Sequence, residues 1–170
     1  MALTQVKNSG LASSGLPAGT VIQTVSADTT TQVEITSTTF TDSGLTASIT
    51  PTSSSNKIAI FINQSVYNYR TGGGDLMVGI RLMRDSTMIN QGYSDSTGGL
   101  HPYFALGTTQ AMYQSYWNNF AMLDSPSTTS SVTYKTQGNL RNTANSHTLR
   151  FQQTSSTTNK STIMLMEVAV

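Results

Sequence analysis

The chain has no cysteine. Disulfides, thiolate metal sites and a cysteine nucleophile are therefore excluded, and the fold must be held by an apolar core and by backbone pairing. Charge is also scarce: nine Lys or Arg and eight Asp or Glu make up 10% of 170 residues, against about 25% in ordinary soluble domains. A net charge of +1 gives no basic patch for phosphate, so nucleic acid is not an expected partner. Disorder driven by charge repulsion is excluded on the same ground. No run approaches the ~18 consecutive apolar residues of a membrane helix, and the first ten residues do not read as a signal peptide. Neither a membrane partner nor secretion by a leader is expected.

Helix signals are nearly missing too, since no window carries apolar residues at i, i+3, i+4 and i+7 with good helix formers between them. The chain has instead 51 Ser or Thr and a recurrent alternation of period two. Thr is a poor helix former but fits the pleat of a strand. Alternating runs fall at Val33 and Ile35, at Leu45, Ala47 and Ile49, and at Ile58, Ile60 and Ile62. They continue at Leu76, Val78, Ile80 and Leu82, at Phe120 and Met122, at Val132 and Tyr134, and at Leu149 and Phe151. Each reads as a strand with one face inward. Turn signals separate them, among them 42–44 (DSG), 51–56 (PTSSSN), 71–75 (TGGGD, read as a hairpin tip), 85–87 and 125–127. Spacing of about 8–12 residues predicts an all-β fold. Nine or ten short strands in one domain point to a single jelly-roll-like antiparallel β-sandwich over 20–170, preceded by an extended N-terminal arm over 1–19.

Chemistry-bearing motifs are few. His101 and His147 are far apart in sequence and neither has a second metal-ligand type beside it, so no metal is expected. No Gly-x-Ser-x-Gly elbow occurs, and Gly72, Gly73 and Gly74 are not followed by the Gly-Lys-Ser/Thr of a phosphate loop. No catalytic residue and no cofactor are assigned, and enzyme is the weakest class. Six of the 13 aromatics lie between Tyr103 and Phe120 beside Gln110, Gln114, Asn118 and Asn119. This segment reads in two ways. One strand face, with Tyr113, Ser115 and Trp117, packs inside while the other meets a subunit. Alternatively, Tyr103 and Trp117 stack on sugar rings.

Two segments depart from the Ser/Thr pattern. Residues 1–19 hold isolated Leu3, Val6, Leu11 and Leu16, which fit either a disordered terminus or an arm docked on a neighbour. The C-terminal run from Ile163 to Val170 is apolar on both faces, as in a strand covered on both sides. Met164, Met166 and Val168 then become candidates for a subunit interface, where adaptable Met side chains fill gaps.

The order of 16–23 (LPAGTVIQ), 40–45 (FTDSGL), 49–58 (ITPTSSSNKI), 123–126 (LDSP), Tyr134-Lys135 and 161–168 (STIMLMEV) resembles β-sandwich domains in virion proteins of tailed bacteriophages, especially those of marine and cyanobacterial hosts. The resemblance implies a homotrimer without catalytic activity. With only the arm ahead of the domain and no fibre shaft, a capsid decoration (cement) protein on the outer capsid surface is the first expectation. Its partner would be the major capsid protein, gripped by Leu3, Val6, Leu11 and Leu16. The second expectation is a small receptor-binding tail-fibre or tail-tip protein that recognises host surface polysaccharide.

Overall fold

The computed structural model describes residues 16–90, 103–104, 109–153 and 159–170, with Tyr103 and Phe104 described by backbone alone. Within them the chain forms β1 (Val21–Thr29), β2 (Val33–Ile35), β3 (Thr41–Ile49), β4 (Lys57–Arg70), β5 (Leu76–Arg84) and β6 (Thr87–Met88). There follow β7 (Tyr103–Phe104), β8 (Met112–Asp124), β9 (Val132–Leu140), β10 (Thr148–Phe151) and β11 (Ser161–Val168). Two antiparallel sheets pack face to face as a β-sandwich. The first is built on β4: β11 and then β1 flank its first half, and β10 and then β2 flank its second half. Along its other side, β8 pairs from Ile58↔Asp124 to Arg70↔Met112 without a register shift. The second sheet runs β3–β9–β5, with β6 and β7 on the far edge of β5.

The alternation seen in the sequence carries the core. Ile58, Ile60, Ile62 and Val66 of β4, with Ile163 and Leu165 of β11, face Leu45, Ala47 and Ile49 of β3, Val132 and Tyr134 of β9, and Val78, Ile80 and Leu82 of β5. All are buried, and each fully buried aliphatic side chain stabilises the fold by about 1.5–3 kcal/mol before entropy is counted. The core is divided in two. One apolar cluster surrounds Ile60 and Tyr134, and the other surrounds Val66, Phe151 and Leu149. Between them lies a belt of buried Ser43, Gln64, Thr136, Gln152 and Ser161. The Ser43 and Thr136 hydroxyls share a hydrogen bond, and Gln64 Nε2 donates to Ser43 Oγ at 2.9 Å. With the Gln152 amide turned so that its nitrogen donates to Ser43 O at 3.1 Å and Thr31 O at 3.2 Å, its oxygen accepts from Ser161 Oγ at 2.8 Å.

Two turn readings are corrected. Asp42, Ser43 and Gly44 lie inside one continuous strand, β3, where the pairing with β9 shifts between Asp42 and Thr46. Gly44 has φ +81°, the left-handed conformation a bulge demands, so the glycine bends the strand without ending it. Residues 71–75 are not a hairpin tip, because β4 and β5 belong to different sheets and the loop crosses between them. Arg70 Nη1 and Asn145 Nδ2 hold this crossing through Asp75 O (2.6 Å) and Gly73 O (2.7 Å).

At Gly138 of β9 the sheets approach closely. A Cβ there would stand 2.7 Å from the Phe151 ring and 2.8 Å from Leu149 Cδ2. Gly138→Ala is expected to cost about 1–3 kcal/mol by overpacking, read as a lower midpoint in urea unfolding.

Two buried ionisable groups staple loops to the sandwich. Glu167, on the inner face of β11, accepts from Gln23 Nε2 (2.6 Å), Thr52 N (2.7 Å), Thr52 Oγ1 (2.8 Å) and Asn56 Nδ2 (2.7 Å). Burial alone would raise its pKa, but these hydrogen bonds outweigh it and hold the carboxyl below its ordinary value. His147 is buried after a short 3-10 turn (Ala144–Ser146). Its Nδ1 lies 2.9 Å from Asn142 O and its Nε2 lies 2.8 Å from the Asn68 side-chain oxygen. Two acceptors would suit an imidazolium. Burial, with a smaller contribution from the Arg70 charge, pushes the pKa down and favours the neutral ring. A neutral ring with its proton on Nδ1 would accept at Nε2, and turning the Asn68 amide over would then bring its otherwise unpartnered nitrogen to that position. Because the folded pKa lies below the ordinary 6.5, the unfolded chain takes up the proton first. This contribution to stability is complete above about pH 6.5 and declines as pH falls through the window between the two values. His147→Gln should flatten the loss of unfolding free energy between pH 7.5 and 5.5.

Candidate interaction face

The outer faces of the two sheets differ in chemistry. On the second sheet the outward residues of β3 and β9 are polar and largely paired, with Met77 and Met83 of β5 beside them. Asp42 accepts from Lys135 Nζ (2.8 Å) and Gln137 Nε2 (2.6 Å), Arg81 Nε donates to Gln137 Oε1 (2.8 Å), and the Arg81 guanidinium lies 3.9 Å from the centre of the Phe40 ring. Burial would raise the Asp42 pKa, yet the bonds from Lys135 and Gln137 prevail and keep it low. Exposed Thr46 and Ser48 complete this wetted face.

The first sheet presents apolar and aromatic side chains instead. Strand alternation sends Ala59, Phe61, Asn63, Tyr67 and Tyr69 of β4 outward, together with the opposite residues of β8. Cross-strand pairing sets Met164 of β11 beside Phe61, and Met166 beside Ala59. On the other side of β4, Ala121 stands beside Phe61 and Leu123 beside Ala59. Val168 is opposite Val21 of β1. Phe61 is 43% exposed, Leu123 52%, Val21 46%, Trp117 48% and Tyr113 63%. Thirteen residues of β8 at ~3.4 Å each and four strands ~4.8 Å apart span roughly 800 Å². That is about one partner's share of a standard interface; within this area the outward Thr24, Ser26, Asn63, Ser115 and Asn119 stand among the apolar and aromatic side chains.

The face has two ends. Toward Lys57 it is largely aliphatic, with Phe61 set among Val21, Ala59, Leu123, Met164, Met166 and Val168. Toward Arg70 it is aromatic: Tyr69 stacks on Tyr113 at 6.0 Å between ring centres and meets Tyr67 at 5.6 Å. The Arg150 guanidinium sits 5.1 Å from the Tyr69 ring and is itself paired to Glu34 at 2.7 Å. Among the described residues, no strand pairs with the outer edge of β8.

The candidate interface residues Met164, Met166 and Val168 all fall on this face, half-buried. Trp117 is also on it, whereas Tyr103 lies in β7 of the second sheet opposite Met77, so the two candidate sugar-contacting residues belong to different sheets. The inward placing of Tyr113, Ser115 and Trp117 is corrected: these residues point outward, and Tyr116 and Phe120 point in together with Gln114 and Asn118. The cause is register, since Tyr113 is paired to outward-facing Tyr69 and Trp117 to Ser65. Leu16 is half-buried just before Gly19 and Thr20, which bond to Ala169 through the backbone at 2.9 Å. Leu3, Val6 and Leu11 lie outside the described residues. Sequence reasoning missed Phe61 and Leu123, although the opposite parity of Phe61 to Ile58, Ile60 and Ile62, and of Leu123 to Phe120 and Met122, was a readable signal. Among the described residues, no three His, Cys, Asp or Glu side chains gather as metal ligands. No protein-family model matches the chain, and no curated protein matches it in sequence.

Proposed function

We propose that this chain is a non-enzymatic structural protein of a bacteriophage virion, a homotrimeric capsid decoration (cement) protein that binds the outer capsid surface and stabilises it. The observation that carries the reading is the contrast between the two outer faces: one is rich in charge pairs, and the other carries the exposed large apolar side chains Val21, Phe61, Tyr113, Trp117 and Leu123 on a sheet of interface size. In a trimer, the aliphatic end of the first sheet is buried against neighbouring copies and the polar second sheet remains wet. The near-neutral charge supports the reading, because many copies can crowd on one particle without mutual repulsion. The arm residues Leu3, Val6, Leu11 and Leu16 grip the major capsid protein, and three modest arms act as one avid attachment.

Deleting residues 1–15 is expected to leave a trimer, read in sedimentation as three times the mass of the truncated chain, and to abolish binding to empty capsids. A truncated chain that still coats capsids refutes the anchoring role. The aromatic end favours a second reading, a small tail receptor-binding protein that takes host surface polysaccharide. Polysaccharide binding by the trimer, lost in Trp117→Ala with assembly intact, would select it over capsid decoration.

A further inference from the structure

The inner face of β8 carries a run of polar side chains with atoms that no group among the described residues satisfies. Asn118 Nδ2, Tyr116 OH and Gln114 Oε1 are desolvated and without a hydrogen-bond partner. So is Gln64 Oε1 of β4, on a side chain that is fully buried and stands directly opposite Asn118 in the strand pairing. These residues occupy successive inward positions, since Val66 is paired to Tyr116 and Asn68 to Gln114. Desolvated groups of this kind each cost a sizeable fraction of a domain's net stability unless something satisfies them.

The chemistry of the run defines what can do so. Gln64 Oε1 needs a donor, Asn118 Nδ2 needs an acceptor, Gln114 Oε1 needs a donor, and the Tyr116 hydroxyl can serve either way. No carboxylate faces the run from β4 or β8, and the nearby Arg70 is committed through Nη1 to Asp75 O. Burial pushes the Tyr116 phenol pKa up, so it stays a neutral hydroxyl. Arg70 Nε is a further buried donor without a partner at the end of the run, and a cation would find no counter-charge among these side chains. A neutral hydroxyl oxygen, donor and acceptor at once, fits every member.

We propose that the inner face of the β4–β8 pair is a binding site for hydroxyl oxygens, with one oxygen bridging Gln64 Oε1 and Asn118 Nδ2 and a second joining Tyr116 OH to Gln114 Oε1. In the isolated protein these oxygens are internal waters, which need two to four polar partners apiece and find them here. The site is independent of the outer-face assembly.

The test is a high-resolution crystal structure of the full chain grown in sugar-free buffer, together with water-to-protein magnetisation transfer in solution. Expected are ordered oxygens within hydrogen-bond distance of both Gln64 and Asn118, and transfer from water to the Asn118 side-chain amide that Gln64→Leu diminishes. A second crystal soaked in glucose separates the sources. Oxygens present in both crystals are water, and oxygens present only after soaking belong to the saccharide; either outcome upholds a hydroxyl site. Direct Gln64–Asn118 bonding with no ordered oxygen and no transfer overturns the proposal. Should Gln64→Leu fail to fold, Asn118→Leu gives the same reading through the Tyr116 hydroxyl proton.

Discussion

Replacing Glu167 with alanine is expected to lower unfolding free energy by roughly 3–4 kcal/mol, the largest loss from any single side chain considered above. The carboxylate is fully buried and collects four donors from Gln23, Thr52 and Asn56. Removing it leaves those donors facing a cavity, and hydrogen bonds to a charged group are each worth about 1.5–3 kcal/mol. The turn over 51–56, which connects the two sheets by joining β3 to β4, loses its tether to β11 at the same time. Thermal unfolding would fall by roughly 10 °C at this chain length. Glu167→Gln keeps the shape and part of the acceptor capacity, so its loss should be smaller. Acid provides an independent check. The folded pKa is depressed below the ordinary 4.5, so the stabilisation is present above that value and is lost as pH falls through the folded pKa. This loss begins at about 4.5, below the onset near 6.5 for His147, and a pH series of denaturant midpoints reads the two onsets.

Phe61→Lys is expected to break assembly. Phe61 lies at the middle of the aliphatic end, flanked by Met164 on one side and Ala121 on the other. A lysine there would bury an unpaired ammonium in the contact, for which about 4 kcal/mol, or roughly a thousandfold in dissociation constant, is a fair expectation. Because the side chain is already 43% exposed in the single chain, the fold itself should tolerate the change. Sedimentation at micromolar protein would then report 18.2 kDa monomers with unchanged far-ultraviolet circular dichroism. Ser48→Lys, on the polar outer face of the second sheet, is the matched control and should leave the oligomer unaffected. A wild-type chain that sediments as a monomer, or a Phe61→Lys variant that remains trimeric, would remove this face from the account of assembly.

The strands were legible because their apolar residues alternate against a Ser/Thr background, a pattern that states both period and parity. Ile58, Ile60 and Ile62, or Leu45, Ala47 and Ile49, leave no doubt which side is buried. Parity failed in β8, where aromatics occupy both faces: Tyr113 and Trp117 on one, Tyr116 and Phe120 on the other. There the choice rests on pairing with β4, a long-range fact that hydropathy does not encode, and it turns Gln114 and Asn118 inward against their polarity. The Asp42–Gly44 segment misled for a related reason. Turn and bulge both call on glycine at positive φ, and only the continued alternation from Ser43 to Ile49 distinguishes them. Glu167 was within reach of the sequence, as an acid at the inward parity of Ile163 and Leu165. The candidate interface at Met164, Met166 and Val168 could be named because that strand is apolar on both sides. Its extension to Phe61 and Leu123 needed the sheet order.

The belt of Ser43, Gln64, Thr136, Gln152 and Ser161 has a consequence for how the chain finds its alignment. Isoleucines two apart are interchangeable, so β4 displaced by two residues along β11 would still put branched aliphatics inside and would leave the inward and outward sets intact. Such a displacement would carry Gln64 into the place of Ile62 among Leu45 and Ile163, and would set Val66 against the hydroxyls of Ser43 and Thr136. The misaligned sandwich would lose its central hydrogen bonds and strand several polar atoms in oil, at about 1–3 kcal/mol apiece. The belt therefore acts as an index mark on an otherwise repetitive ruler, telling one rung of the β4 ladder from the next.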